Sequence, residues 1–159
     1  MAKEEAFNAA RFAFASYDAM FAAVASQLGL ENARALESAA LAPLGAAQGQ
    51  MIRQQIGGSD VDAQTAYSVL QKSVLETLGI SAEMKEASPQ KVVFEVGRCP
   101  IYESGRMLGL DHAIIEGNCQ ASSICMMDAM TKQLNPKLSY RLRTFRSESG
   151  AGCIEEIGT

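Results

Sequence analysis

Between Lys3 and Leu28 the apolar residues Phe7, Phe14, Phe21 and Leu28 recur every seven positions, and Ala10, Tyr17 and Val24 fill the intermediate spacing. This is the pattern of one face of a long helix, which Gly29 ends. A second helical stretch starts near Glu31 and runs through Leu36 and Leu41 to Pro43, where the missing N–H predicts a kink or break. Its continuation, Gly45 to Ile56, carries Gly45, Ala46, Ala47 and Gly49, small enough to let another element approach closely, and Gly57-Gly58 stops it. A third helix is predicted with Ser59 or Asp60 as its cap, a buried stripe of Ala66, Val69, Leu70, Val74 and Leu78, and Gly79 at its end.

After Gly79 the period changes from helical to alternating. Ile80, Ala82 and Met84 share one face, and Val92, Phe94 and Val96 follow Ser88-Pro89, so a β-hairpin is expected. A polar, glycine-bearing segment, Tyr102 to Asn118, leads to a short helix from about Cys119 to Leu134, which Asn135-Pro136 terminates. Leu138, Tyr140, Leu142 and Thr144 then alternate with Ser139, Arg141, Arg143 and Phe145, and a glycine turn at Gly150 and Gly152 leads into a last strand, Cys153 to Ile157. The order ααα-ββ-α-ββ predicts an α+β fold, N-terminal helices packed with a C-terminal antiparallel sheet, in a single domain over 1–159.

Composition narrows the classes of function. With 159 residues, 48% of them hydrophobic, the chain is long enough to bury one sizeable core and too apolar for disorder. Its net charge of -4 gives no general attraction to phosphate backbones, so no nucleic-acid partner is expected. The stretch after Met1 reads as neither a signal peptide nor a membrane span, and a cytoplasmic protein with reduced thiols is expected. The apolar heptad of the first helix is long for a domain of this size, so part of it is expected to need a partner chain, in a homodimer.

Candidate chemistry is confined to the C-terminal part, because Cys99, Cys119, Cys125, Cys153 and the only histidine, His112, all lie in the last 61 residues. If Asn118 caps a helix, Cys119 falls in its first turn, where unpaired N–H groups favour the thiolate; simple packing of a small residue is the competing reading. Cys99, Cys119 and Cys153, with His112 nearby, have the composition of a zinc or iron site, although their spacing is unlike any Cys-x-x-Cys knuckle. Cys119 and Cys125, six residues apart, lie about 240° apart around a regular helix and cannot both face one metal. Glu103, Arg106, Asp111, His112 and Glu116 form either a solvated loop or a group offering a base near neutral pH. Arg141 and Arg143 share a strand face that suits a bidentate carboxylate or a solvent-facing edge, and Met126, Met127 and Met130 suit a core or an adaptable pocket.

The series Phe94-Glu95-Val96-Gly97-Arg98-Cys99-Pro100, then Asn118-Cys119, then Leu134-Asn135-Pro136-Lys137-Leu138, and finally Arg143-Thr144 with Gly150-Ala151-Gly152-Cys153 resembles the L-2-amino-thiazoline-4-carboxylic acid hydrolase family. It is similar, more distantly, to vinyl-reductase-like ligand-binding domains. The resemblance runs over about residues 60–157, and Cys99, Cys119 and Cys153 occupy the positions of the family's cysteines. It implies an α+β fold and a hydrolase that adds water to the carbon between sulfur and nitrogen of a cyclic amidine, opening the ring to a carbamoyl-cysteine. Chemistry then assigns water activation to His112 or Glu116, a nucleophile or ligand role to Cys119, and the substrate carboxylate to Arg143 with Arg106. The alternative is a noncatalytic sensor or carrier that binds an apolar small molecule, a tetrapyrrole or a metal.

Overall fold

The structure, a computed structural model, describes residues 2–148 and 150–159. Two long helices open it, α1 (Ala2–Leu28) and α2 (Leu30–Gln55), joined through Gly29, whose φ of 84° suits glycine. Helix α3 (Ala63–Leu70) runs on into a π-helical turn, Gln71–Leu75, and a 3-10 turn, Glu76–Leu78, before Gly79 ends it at φ 69°. Strands β1 (Ala82–Ala87) and β2 (Lys91–Val96) form the expected hairpin. Helices α4 (Pro100–Met107) and α5 (His112–Cys119) follow; α5 continues through a second π-helical turn, Gln120–Ile124, into α6 (Cys125–Leu134). Strands β3 (Ser139–Thr144) and β4 (Cys153–Gly158) complete an antiparallel sheet in the order β1-β2-β4-β3.

The class is the expected one, helices in the N-terminal half with a four-stranded antiparallel sheet, and the departures from the expected elements are local. Pro43 does not break α2, because it lies on the exposed side of the helix, where water reaches the carbonyl its ring leaves without a donor. The cap of α3 is Asp62, whose Oδ1 accepts from the Thr65 N–H at 2.8 Å, not Ser59 or Asp60. The segment read as a polar loop holds α4 and α5, so Cys119 sits in the middle of a helical run from His112 to Leu134 and not at a helix start.

The main core lies between the inner sheet face (Val92, Phe94, Val96, Tyr140, Ile157) and α3 with α6 (Tyr67, Leu70, Met127, Met130, Leu134). Phe94 anchors it, with ring centroids 4.8 Å from Tyr67 and 5.8 Å from Tyr140. Above this layer, α2 packs chiefly on α6 and α1 chiefly on α4. Two of the small residues of α2 are what allow the first contact: a Cβ on Gly45 would lie 2.6 Å from the Met126 carbonyl oxygen, and one on Gly49 2.8 Å from the Met130 Cα. On the other side a buried carboxylate ties α1 down. Ser104 Oγ (α4) and Asn118 Nδ2 (α5) donate to the two oxygens of Asp18, which is 1% exposed. Of the heptad residues, Phe7 and Phe21 are buried within the chain and Leu28 is exposed.

Glycine inside a helix ordinarily gains about 0.5–1 kcal/mol on replacement by alanine. Here Gly49→Ala is expected to lower stability by about 1–3 kcal/mol, as overpacking against backbone does. Urea unfolding of Gly49→Ala beside Gln50→Ala, on the exposed side of the same turn, checks this; the control is expected to stay within about 0.5 kcal/mol of wild type.

Candidate functional site

Because α1 leans on α4 and α2 on α6, the two helices leave a gap between them, and beneath it lies a cavity of about 700 Å³. Its roof comes from Phe14 and Tyr17 of α1 and Leu41, Met51 and Ile52 of α2. Its walls include Val74 and Leu75 on one side and Met126, Met127 and Met130 on the other, and its floor is the inner sheet face at Val96, Tyr140 and Glu155. Both π-helical turns contribute to the lining, one with Ser73, Val74 and Leu75 and the other with Ser122, Ser123 and Ile124. A π-turn inserts one residue into the helical repeat and so re-aims the side chains around it, and such turns gather at functional sites. The volume is that of a site for a small organic molecule.

One end of this mostly apolar space is polar. Glu155 enters from β4 and is 6% exposed; the Tyr140 hydroxyl, on the neighbouring strand, donates to its Oε2. Burial pushes the Glu155 carboxyl up to about 7, against the opposing pull of the Tyr140 hydrogen bond and the Arg146 charge. Burial also raises the Tyr140 hydroxyl well above its ordinary value, and the Glu155 charge adds to that. Cys99, at the N-cap position of α4, and Cys119 line the same end. Burial pushes the Cys99 thiol up to about 11, and burial, followed by the proximity of Cys99, Glu155 and Cys153, pushes Cys119 well above the usual thiol range. These groups are held neutral near pH 7, except that Glu155 is poised between its two forms.

Behind the floor, the guanidinium of Arg146 is 3% exposed. It donates from Nη2 to the carbonyls of Val96 (3.1 Å) and Gly97 (2.6 Å) and from Nε to Cys153 Sγ (3.3 Å), and it lies 4.7 Å over the Tyr102 ring. It is a structural cation that closes the end of β2 against the β3–β4 connection.

The residues singled out in the sequence are dispersed. His112 is exposed at the start of α5, where Nε2 donates to the Arg146 carbonyl at 2.7 Å and the ring stands edge-on to Phe145. Glu116 accepts from Gln120 Nε2 at 3.1 Å, and neither it nor His112 lines the cavity. Arg143 is on the outer sheet face, where it and Arg141 pair with Glu156 at 3.5 and 3.0 Å; the carboxylate this row holds is the chain's own. Arg106 borders a separate open groove beside Glu103 and Gly152. Of the expected site residues, Cys119 and Cys99 reach the cavity.

Two expectations for the cysteines are overturned. Cys119 has no helix terminus to favour its thiolate, since its N–H groups belong to a continuing helix, and its pKa goes up and not down. The zinc or iron set of Cys99, Cys119 and Cys153 does not assemble: among the described residues no three His, Cys, Asp or Glu side chains converge as metal ligands, and Cys153 Sγ is turned to Arg146. Cys125 faces α2, with its Sγ 3.6 Å from the Ser38 carbonyl.

Sequence reasoning missed Glu155 and Tyr140 as site residues, and Arg146, which could be read as extending the Arg141 and Arg143 row, is instead buried on Val96, Gly97 and Cys153. The signal for Glu155 was present: in Cys153-Ile154-Glu155-Glu156-Ile157 the alternation that puts Cys153 and Ile157 in the core also puts Glu155 there.

The fold is a helix-roofed antiparallel sheet, an α+β domain with a cavity between its two layers. The sequence profile of the L-2-amino-thiazoline-4-carboxylic acid hydrolase family matches residues 8–153, and the chain belongs to that family. The match takes in α1 and α2 as well as the C-terminal motifs. No curated protein is significantly similar in sequence. Among solved structures, the fold is similar to that of the phenol-responsive sensory domain of the transcription activator PoxR, crystallised with phenol, at 14% identity over 91% of this chain and 73% of that one, with a TM-score of 0.63.

Glu155 makes stability depend on pH in a defined direction. Its native pKa lies above the ordinary 4.5, so the native state holds this proton more tightly than the unfolded chain. The resulting stabilisation is complete below pH 4.5, is lost as the pH rises to about 7, and changes no further above that. Glu155→Gln carries no such proton. Relative to wild type it is expected to gain about 3 kcal/mol between pH 4.5 and 8, at about 1.4 kcal/mol per pH unit, read by urea unfolding across that range; a parallel pH profile in the two proteins would refute the buried carboxyl. Asp18, raised by burial to about 6, acts in the same direction in both proteins and cancels from the difference.

Proposed function

We propose that this domain binds a small, largely apolar molecule in the cavity between α1, α2 and the sheet, with a hydrogen-bonding head group seated against Glu155, Tyr140 and Cys119. The observation that carries this reading is the distribution of polarity: apolar walls with methionine in the roof and along one side, and one buried carboxyl–phenol pair at the floor. A head group that donates to Glu155 replaces the solvent this carboxyl has lost, and the apolar body gains by leaving water. Membership of the hydrolase family and likeness to a phenol-responsive sensory domain both agree with a small-molecule site.

Hydrolysis of a cyclic amidine is the second reading, favoured by one feature: a carboxyl poised near neutrality inside a cavity is suited to general acid–base work. Ionised Glu155 takes a proton from water as the water oxygen bonds to the amidine carbon. The C=N electron pair moves to the ring nitrogen, which takes that proton from Glu155; the carbon–sulfur ring bond then breaks as the added hydroxyl becomes a carbonyl, and the hydroxyl proton passes by way of Glu155 to the leaving sulfur. In this reading Glu155, not His112 or Glu116, activates water, and Cys119 packs against the substrate as a neutral thiol and is not the nucleophile. Arg143 and Arg106 lie outside the cavity, so a substrate carboxylate is directed to the mouth near Gln48 and Gln55.

Phenol, benzamidine and benzoate report on the head group. Phenol and benzamidine are expected to raise the melting temperature in proportion to the logarithm of their concentration, and benzoate is not. Calorimetric titration of Glu155→Gln is expected to show affinity for benzamidine reduced by about tenfold or more, and Met127→Trp, which fills the cavity, is expected to bind none of them. Failure of all three to bind wild type would sink the binding site. With 2-aminothiazoline-4-carboxylate as substrate, turnover lost by about a hundredfold or more in Glu155→Gln would establish the hydrolytic reading, and absence of turnover in wild type would leave binding alone.

A further inference from the structure

The open groove that Arg106 borders is walled by α4, the end of β2 and the connection between β3 and β4, and its volume is about 540 Å³. Its charged lining consists of Glu95, Arg98, Glu103, Arg106 and Arg146. Three of these are already paired. Glu103 accepts from Arg98 Nε at 3.2 Å and lies 3.8 Å from Arg11, Arg98 also meets Glu4 at 2.6 Å, and Glu95 is held by Lys85 at 2.9 Å, which reaches Glu83 at 3.1 Å as well. Glu148, on the same connection, is exposed and stands outside the lining. The remaining two, Arg106 in the last turn of α4 and Arg146, form no ion pair among the described residues.

A charge as deeply buried as Arg146, 3% exposed, is costly unless something pairs with it. The Val96 and Gly97 carbonyls take Nη2 and the Cys153 sulfur takes Nε, which leaves Nη1 with no partner among the described residues. The Tyr102 ring lies beneath the same guanidinium at 4.7 Å, and its hydroxyl bonds no described residue either. The groove therefore offers two unpaired guanidinium groups from different elements and a phenol hydroxyl, with its own carboxylates neutralised. A single carboxylate is satisfied by one bidentate guanidinium, whereas a phosphate group carries nearly two charges and three acceptor oxygens, enough for all three donors. We propose that this groove binds the phosphate group of a small phosphate ester, with Arg106 and Arg146 as its cations and Tyr102 as a third donor. It shares no lining residue with the cavity. Arg146 links the two, because its charge also pulls on Glu155 from behind the floor, and an anion in the groove weakens that pull.

Titration of the full chain with inorganic phosphate and with glycerol 3-phosphate, in chloride buffer at constant ionic strength, tests this by calorimetry and by nitrogen-15 NMR. Both are expected to bind with millimolar affinity or better and to shift the Arg146 Nε–H resonance, which reads the buried cation without removing its hold on β2. Benzoate is expected to leave that resonance in place. Arg106→Ala is expected to weaken phosphate binding by about tenfold or more and Tyr102→Phe by about threefold or more, the scale of a lost charge-assisted hydrogen bond. Arg141→Ala removes the same charge from the outer sheet face and is expected to bind phosphate within about twofold of wild type, since screened charges at a distance count for little. Phosphate and its ester binding no better than chloride, or affinities unchanged in both Arg106→Ala and Tyr102→Phe, would overturn the proposal.

Discussion

Everything in this molecule hangs on how closely α2 approaches α6. The hairpin of α1 and α2 turns through one residue, Gly29, so its helices would by default pack along their length on each other. They do not, because Gly45 and Gly49 let the α2 backbone settle against Met126 and Met130 of α6, while the Asp18 carboxylate holds α1 to Ser104 and Asn118 on α4 and α5. Each helix takes its support from a different neighbour. The space left between them is the cavity, and its volume is a consequence of where two glycines and one buried aspartate fall in the first 49 residues.

The same arrangement explains why a carboxyl survives in so apolar a place. Glu155 is desolvated by the sheet beneath it and the helices above, which alone would hold it protonated; Tyr140 and the charge of Arg146 pull the other way. Arg146 in turn is fixed by backbone carbonyls at the end of β2 and by the Cys153 sulfur, so its charge cannot swing into the cavity to form a full ion pair with Glu155. An ion pair would have fixed Glu155 as a carboxylate. A cation kept behind the floor leaves it balanced between forms, able to accept from a ligand's donor or to pass a proton.

Much of the scaffold was legible because it is written in period. The change from 3.6 to 2 after Gly79, the Gly57-Gly58 and Asn135-Pro136 stops, and the alternation of Leu138, Tyr140 and Leu142 each translate into an observed element boundary or a strand face. The site was less legible for two physical reasons. Reactive types such as His112 and Arg143 draw the eye, yet their partners are the Arg146 carbonyl and Glu156, choices made by tertiary packing that no local pattern carries. And the two π-turns have no period of their own: α5 already starts at His112, so Asn118 is no cap, and the π-turn Gln120–Ile124 within the same helical run brings Ser122 to the cavity beside Cys119. Small residues in α2 were read correctly as a place of close approach, because glycine without a Cβ has few other uses in the middle of a helix.

Helix α2 thus works on three sides at once. Gly45 and Gly49 face α6, Leu41 and Ile52 roof the cavity, and Leu36, Ala40, Leu44 and Ala47 are exposed on the outer side. Met51 belongs to two of these sides, being both part of the cavity lining and 62% exposed on the outer side. A side chain with three flexible torsions sits at that corner, so the edge of the roof is formed by the most adaptable apolar side chain of the helix, where the cavity lining meets the outer surface.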